Sequence, residues 1–317
     1  MEMAIEADSV GRLFGSGADA VGLRELDLAV PPGSVVALLG HNGAGKTTAV
    51  RGLATLLEFD RGQARVAGFS VRSQPQEVRQ RISLVGQMAA VDEHLSATDN
   101  LVLFGRLRGL NRTQASTRAV DLLDQFGLAE ARGRPVRGFS GGMRRRLDVA
   151  ASIITRPEVL FVDEPTTGLD PAARRDLWQT LRGLVAEGTT ILLTTQYLEE
   201  ADALADHIVL LAHGAVIAEG TSDALKDALG QSRITLRFAT HDQARAALPL
   251  LSSISDGARL DHDATLVLDT DRNEDLLASL RVLSGHGVAP VEASLRKPSL
   301  DDVFLTMTGN PTPKEST

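Results

Sequence analysis

At 317 residues the chain exceeds one small domain, and 43% apolar with 23% charged residues is ordinary globular composition, which excludes wholesale disorder and a fibrous chain. Forty-one acidic against thirty-three basic residues leave a formal charge of −8, too acidic for broad binding to nucleic acid. The lack of cysteine excludes disulfides and thiolate metal sites, and no window holds the ~18 apolar residues of a membrane-spanning helix.

The first residues, Met1–Asp8, carry Glu2, Glu6 and Asp8 and lack the basic-then-apolar pattern of a signal peptide, so the expected place is the cytosol or the cytosolic side of a membrane. Strand patterns occupy residues 3–7 and 23–30, with Pro31-Pro32-Gly33 as a turn. Val35–Leu39 is a short continuous apolar run between glycines, the mark of a strand buried on both faces of a parallel sheet. Ile82–Val85, Val159–Val162 and Ile191–Leu193 repeat it, with helical patterns between them, which implies an α/β core. Residues 95–137 break the rhythm with helical patterns such as Ala119, Val120, Leu122, Leu123 and Phe126, and predict a helical subdomain inserted over about 88–155.

The first domain is expected to span residues 1–230, with a boundary near Leu229–Ser232. In a second domain, 231–309, strand-like Ile234–Phe238 precedes a helix at 241–248. Strand-like Thr265–Leu268 then precedes a helix lined by Leu276, Leu277, Leu280 and Leu283. This repeated βα unit predicts a small α+β domain, for which a ferredoxin-like fold is one candidate. Ser299 can cap a last helix whose Leu300, Val303, Phe304 and Met307 form a stripe, serving either the domain's own core or assembly. The polar, proline-containing tail 310–317 is expected to be disordered.

Gly40-His41-Asn42-Gly43-Ala44-Gly45-Lys46-Thr47-Thr48 follows the Val35–Leu39 strand and fits the phosphate-loop pattern. Its glycines let backbone amides converge on phosphate oxygens, the following helix start adds its positive end, Lys46 reaches the β/γ-phosphates and the Thr47 hydroxyl ligates Mg²⁺. The strand Val159–Val162 ends in Asp163, suited to a Mg²⁺-bound water, and Glu164, suited to polarise an attacking water as general base. The Asn/Thr-Lys-x-Asp element of guanine readers does not occur after a later strand, so ATP is the expected nucleotide.

Phe139-Ser140-Gly141-Gly142-Met143-Arg144-Arg145-Arg146-Leu147 precedes that acidic pair and opens an amphipathic helix with exposed amides. With Gln87 after Ile82–Val85, Gly168-Leu169-Asp170, and Gln196 after Ile191–Leu193, the ordered set resembles the ATP-binding cassette of ABC transporters over residues 3–220. The resemblance implies a P-loop ABC ATPase fold with ATP and Mg²⁺ as cofactors and Gln87 as a further metal ligand. It also implies closure of a homodimer in which Ser140, Gly141, Gly142 and Asp170 complete the opposite subunit's ATP site. Asp170 also reads locally as a helix cap, followed by Pro171. Phe14, beside Gly15-Ser16-Gly17, stands where the family places an adenine-stacking aromatic, with simple packing as the other reading. Two positions depart from the family. Met143 replaces a common Gln, and Gln196 replaces a histidine thought to contact the γ-phosphate; Gln196 either keeps that contact without ionising near neutral pH or caps the next helix. Six arginines between Arg132 and Arg146, with no acid among them, form either a local positive field or a solvated face.

Asn100–Leu107, Thr194–Asp202 and Leu295–Leu305 look like the daunorubicin/doxorubicin-resistance type of actinobacterial exporter ATPases. That resemblance implies the ATP-hydrolysing subunit of a drug, antibiotic or lipid exporter, on the cytoplasmic face of the membrane, with a separate permease and no nucleic acid partner. An importer ATPase, or an ABC ATPase of translation or DNA repair, is the alternative. One phosphate loop, no cysteine and no sustained heptads speak against the translation and repair types.

Overall fold

The computed structural model describes residues 2–308 apart from 16–19, 88, 230, 231, 253, 255, 256, 262, 271 and 273; the 310–317 tail lies outside them. β1 (Ile5–Phe14) and β2 (Val21–Val30) pair antiparallel, alternation sending Ile5 and Ala7, and Leu26, Leu28 and Val30, to the core. β3 (Val35–Leu39), buried at every position, runs into α1 (Lys46–Leu53). β4 (Arg61–Val66) and β5 (Phe69–Ser70) extend the antiparallel side, and α2 (Pro75–Arg81) leads to β6 (Ile82–Val85). Helices α3 (Ala97–Leu107), α4 (Arg112–Gln125) and α5 (Gly141–Ser152) follow. The alternation then resumes with β7 (Val159–Asp163), α6 (Pro171–Ala186), β8 (Thr190–Thr195), α7 (Leu198–Leu204), β9 (His207–Ala212) and β10 (Ala215–Gly220).

These strands form one sheet in the order β5-β4-β1-β2-β10-β9-β3-β8-β7-β6. The run β9-β3-β8-β7-β6 is parallel and the run from β5 to β2 antiparallel. The two halves meet where β10 pairs with β2 at Ala215↔Glu25. β3, β7 and β8 are buried throughout, which is why they read as unbroken apolar runs. β9 has the same buried run, Ile208–Leu211, and joins the four strands that the sequence analysis named. The phosphate loop, Asp163 and Gln196 all sit at the carboxyl ends of neighbouring parallel strands, where open α/β sheets place their ligands.

The inserted helices have a core of their own, with Leu101, Ala115, Ala119, Leu122, Leu123 and Leu147 fully buried. Ser96 caps α3, and Asn111 with Gln114 makes a capping box on α4. Val120, expected on the apolar face, is 36% exposed because it lies one position round the helix from Ala119.

The chain divides into two units, Met1–Ser222 and Asp223–Thr317, so the division falls before the expected 230 and α8 (Ser222–Ala228) belongs almost wholly to the second. There β11 (Ser232–Arg237), α9 (His241–Leu251), β12 (Arg259–Asp261), β13 (Thr265–Thr270), α10 (Asp275–Gly285) and β14 (Glu292–Arg296) follow in βαββαβ order, with sheet order β12-β13-β11-β14. That is the order of a split βαβ, ferredoxin-like unit. Ile234, Leu236, Leu266 and Leu268 pack with Ala244, Ala247, Leu251 and Leu283. Leu277 is 58% exposed and does not share the face of Leu276, Leu280 and Leu283. On the other side of the sheet, Asp269 pairs with Arg233 and Arg259 across three strands. Ser299 and Asp302 exchange capping hydrogen bonds at the start of α11 (Leu300–Thr308), which buries Leu300, Val303 and Phe304 and leaves Met307 38% exposed.

Candidate functional site

Gly45 ends the phosphate loop at φ 102, a conformation open to glycine, and a Cβ there would meet Gly22 O at 3.0 Å. α1 starts directly after it with no side-chain cap on its first amides, leaving the helix's positive end at the loop. Lys46 is only 4% exposed; its Nζ donates to Gly40 O at 2.6 Å and His41 O at 3.2 Å, and lies 3.5 Å from Glu164 Oε1. Burial pushes the Lys46 ammonium below the usual lysine range, while Glu164 and Asp163 pull it back.

Asp163 is buried at the end of β7, its Oδ1 accepting from the Thr194 hydroxyl at 2.5 Å and the Thr47 hydroxyl at 3.4 Å. Glu164 turns away with φ 47, a left-handed backbone that a non-glycine residue keeps only when held. Its amide is held by Thr194, donating to both O and Oγ1 at 3.1 Å. Neighbouring carboxylates thus part, one toward Thr47 and one toward Lys46. Thr194 carries no motif that would assign it to holding this pair; a threonine on a buried strand, in register with Asp163, is the signal that marks it. Thr47 and Asp163 offer hard oxygen donors of the kind Mg²⁺ takes. Among the described residues no three His, Asp or Glu side chains cluster as a metal cage, so phosphate oxygens and water would have to complete the shell.

A cleft of about 270 Å³ opens here, lined by Phe14, Val21 and Gly22 on one side and Asn42 through Thr48, Gln87 and Glu164 on the other. His41 is exposed at the mouth of the loop and Gly40 buried at its base. Phe14 is 43% exposed, with the Arg12 guanidinium 5.4 Å from its ring centroid, so its free face looks into the cleft instead of the core. A larger hollow of about 440 Å³ beside Arg65, Arg72 and Arg79 has neither phosphate loop nor acidic pair.

The remaining predicted residues do not line this cleft. Ser140 caps α5, accepting from the Met143 amide at 3.2 Å. Gly141 lines a second hollow of about 160 Å³ with Gln87, Glu164 and Gly168. Gly142 has a reason within the chain, since a Cβ there would sit 2.8 Å from the Ala173 Cβ. Asp170 caps α6 through the Ala172 and Ala173 amides, both at 2.9 Å. Gln196, half-buried, does not cap α7: the cap position is Tyr197, with no side-chain cap bond, and the Tyr197 amide donates to the Thr195 hydroxyl at 2.9 Å. The arginine run is largely paired, Arg132 with Asp124, Arg144 with Glu93 and Arg146 with Asp176, so it is no free positive field. Arg145 is buried, with Asp148.

The family profile described as ABC transporter matches residues 23–167. The chain is 50% identical to the daunorubicin/doxorubicin resistance ATP-binding protein of Streptomyces peucetius, over 92% of this chain and 89% of that one. It is 43% identical to the doxorubicin resistance ATP-binding protein of Mycobacterium tuberculosis (98% and 95%), and 36% identical to a Nod factor export ATP-binding protein of Cupriavidus metallidurans (98% of each). Among solved structures, an ATP-binding subunit of an ABC transporter superposes with TM-score 0.62 at 30% identity, over 72% of this chain and 93% of that one. A dimeric ATP-binding cassette bound to ADP and phosphate, at 21% identity and TM-score 0.62 over 68% and 98%, shares the fold.

Proposed function

The chain belongs to the ATP-binding subunits of ABC transporters, within the daunorubicin/doxorubicin-resistance type, and is an exporter ATPase; from that premise we propose how its residues divide the work. The loop from Gly40 to Thr48 and the start of α1 bind the phosphates, with Lys46 beside the terminal one. Phe14 stacks on the base. Thr47, Asp163 and Gln87 hold Mg²⁺, which when bound neutralises phosphate charge. Glu164 takes the proton of the attacking water, and Gln196 contacts the γ-phosphate from the end of β8. The observation that carries this reading is the pairing at the strand ends, Thr47 with Asp163 at 3.4 Å and Lys46 with Glu164 at 3.5 Å.

Ser140, Gly141 and Gly142, with Asp170, lie outside the cleft lined by their own phosphate loop, which supports a head-to-tail homodimer in which they reach the partner's nucleotide. Among the described residues no helix is long and apolar enough to cross a membrane, so the substrate path is assigned to a separate permease. The subunit works peripherally at the cytoplasmic face, and the cargo is a hydrophobic drug, antibiotic or lipid. Residues 231–309 serve assembly. The test is Glu164→Gln, which keeps the shape and removes the proton acceptor. Mg·ATP binding should persist while turnover drops by about 10²–10⁴-fold; hydrolysis at the parental rate would refute Glu164 as the base.

A further inference from the structure

Two buried ions remain unexplained by the roles above. Arg145 and Asp148 sit three residues apart on one face of α5, the helix that begins at Ser140, and are 7% and 5% exposed. Arg145 Nη1 donates to Gly86 O at 2.5 Å and Nη2 to Asp163 O at 3.3 Å; Asp148 accepts the Ala90 amide at 2.8 Å. The two side chains lie 3.6 Å apart. Their backbone partners are informative: Gly86 and Ala90 flank Gln87, and Asp163 ends β7 beside Glu164.

We propose that Arg145 and Asp148 are positioning residues that fasten the Gln87 loop at both ends, and the end of β7, to α5, so that movement of the Ser140–Gly142 helix start is transmitted to Gln87 and the acidic pair. The functional consequence rests on the role given to Gln87 above, whereas the fastening rests on geometry alone. Burial opposes the charged form of each partner, lowering the Arg145 pKa and raising that of Asp148. An apolar pair of similar volume is often as stable as a buried ion pair or more so, so stability alone gives no reason for ions here. A guanidinium fork reaching two carbonyls, and a carboxylate taking one amide, do what apolar side chains cannot: they set the position of backbone on two other segments.

The double variant Arg145→Met/Asp148→Leu separates position from stability. In the full-length chain it should fold with near-parental thermal stability. The Ala90 amide, held by Asp148 in the parent, should exchange with solvent faster, and kcat for ATP should fall by about 10–10²-fold at little-changed KM. Arg145→Lys keeps the charge without the fork and should fold, with the same kcat-over-KM pattern in milder form. It serves as the test if the double variant does not fold. Unchanged exchange at Ala90 in the folded double variant would overturn the proposal. Faster exchange with parental kcat would uphold the fastening and instead refute the role of Gln87.

Discussion

Gly141 and Gly142 stand side by side in one motif, yet they should fail differently. A methyl at residue 142 would lie 2.8 Å from the Ala173 Cβ, against the ~3.5–4.0 Å at which carbon atoms rest. Ala173 has no rotamer by which to retreat, and α6 is pinned there by the Asp170 cap. The two helices must separate, and overpacking of this kind costs about 1–3 kcal/mol. A methyl at 141 meets only Leu169 Cδ2, at 3.7 Å, an ordinary contact. Both alanines gain up to ~1 kcal/mol of helix propensity, so comparing the two variants isolates the clash. At about 2–4 °C per kcal/mol for a unit of this size, Gly142→Ala should melt several degrees below Gly141→Ala without nucleotide. The single tryptophan, Trp178, lies on α6 and reports the transition by fluorescence. Equal midpoints would refute the packing argument. Gly141→Asp, in contrast, should keep the fold and lose ATP-promoted dimers in light scattering.

Gln196→Ala should slow hydrolysis more than it weakens ATP binding, whereas Gln196→His stays active and adds an ionisation near neutral pH to the rate profile; parental turnover of Gln196→Ala at saturating Mg·ATP would remove the residue from the site. In the second unit, partial burial works against the Asp269 charge, but Arg259 and Arg233 outweigh it and hold its pKa below the usual range. A lowered folded pKa means the stabilisation is complete above the ordinary aspartate value of about 3.9 and fades as pH drops through the folded value. Asp269→Asn should therefore flatten the acid limb of that unit's unfolding curve, and an unchanged limb would count against the cross-strand pairings.

How much of this was readable depended on burial. Strands covered on both faces write themselves as apolar runs, so β3, β6, β7 and β8 stood out, and β9 carried the same signal. β4 buries only Ala64 and Val66 between exposed polar residues, and β14 is exposed except for the half-buried Leu295; neither has a pattern that sequence alone distinguishes from a loop. The phosphate loop and acidic pair were legible because their chemistry requires fixed spacing. Thr194 and Arg145 were not, because their partners, the Asp163 carboxylate and Glu164 amide for one and the Gly86 and Asp163 carbonyls for the other, lie on segments distant in the chain. An arginine run read as one basic surface also concealed the burial of Arg145, although Asp148, an acid at helical spacing, marks the position.

The junction at Ala215↔Glu25 joins two plates of the sheet, antiparallel and parallel, along one line, strengthened by the Arg24 and Glu25 amides that donate to Gly214 O at 2.6 and 3.0 Å. Phe14, Val21 and Gly22 belong to one plate, while Lys46 and its loop belong to the other. A nucleotide lying between them in the proposed pose acts as a rivet: its base presses on the antiparallel plate and its phosphates on the parallel one. One shared core, in which Leu23 and Leu26 pack with Leu38 and Val50, already holds the plates in place, so loss of the base contact removes one of the nucleotide's two anchors while the phosphates stay bound.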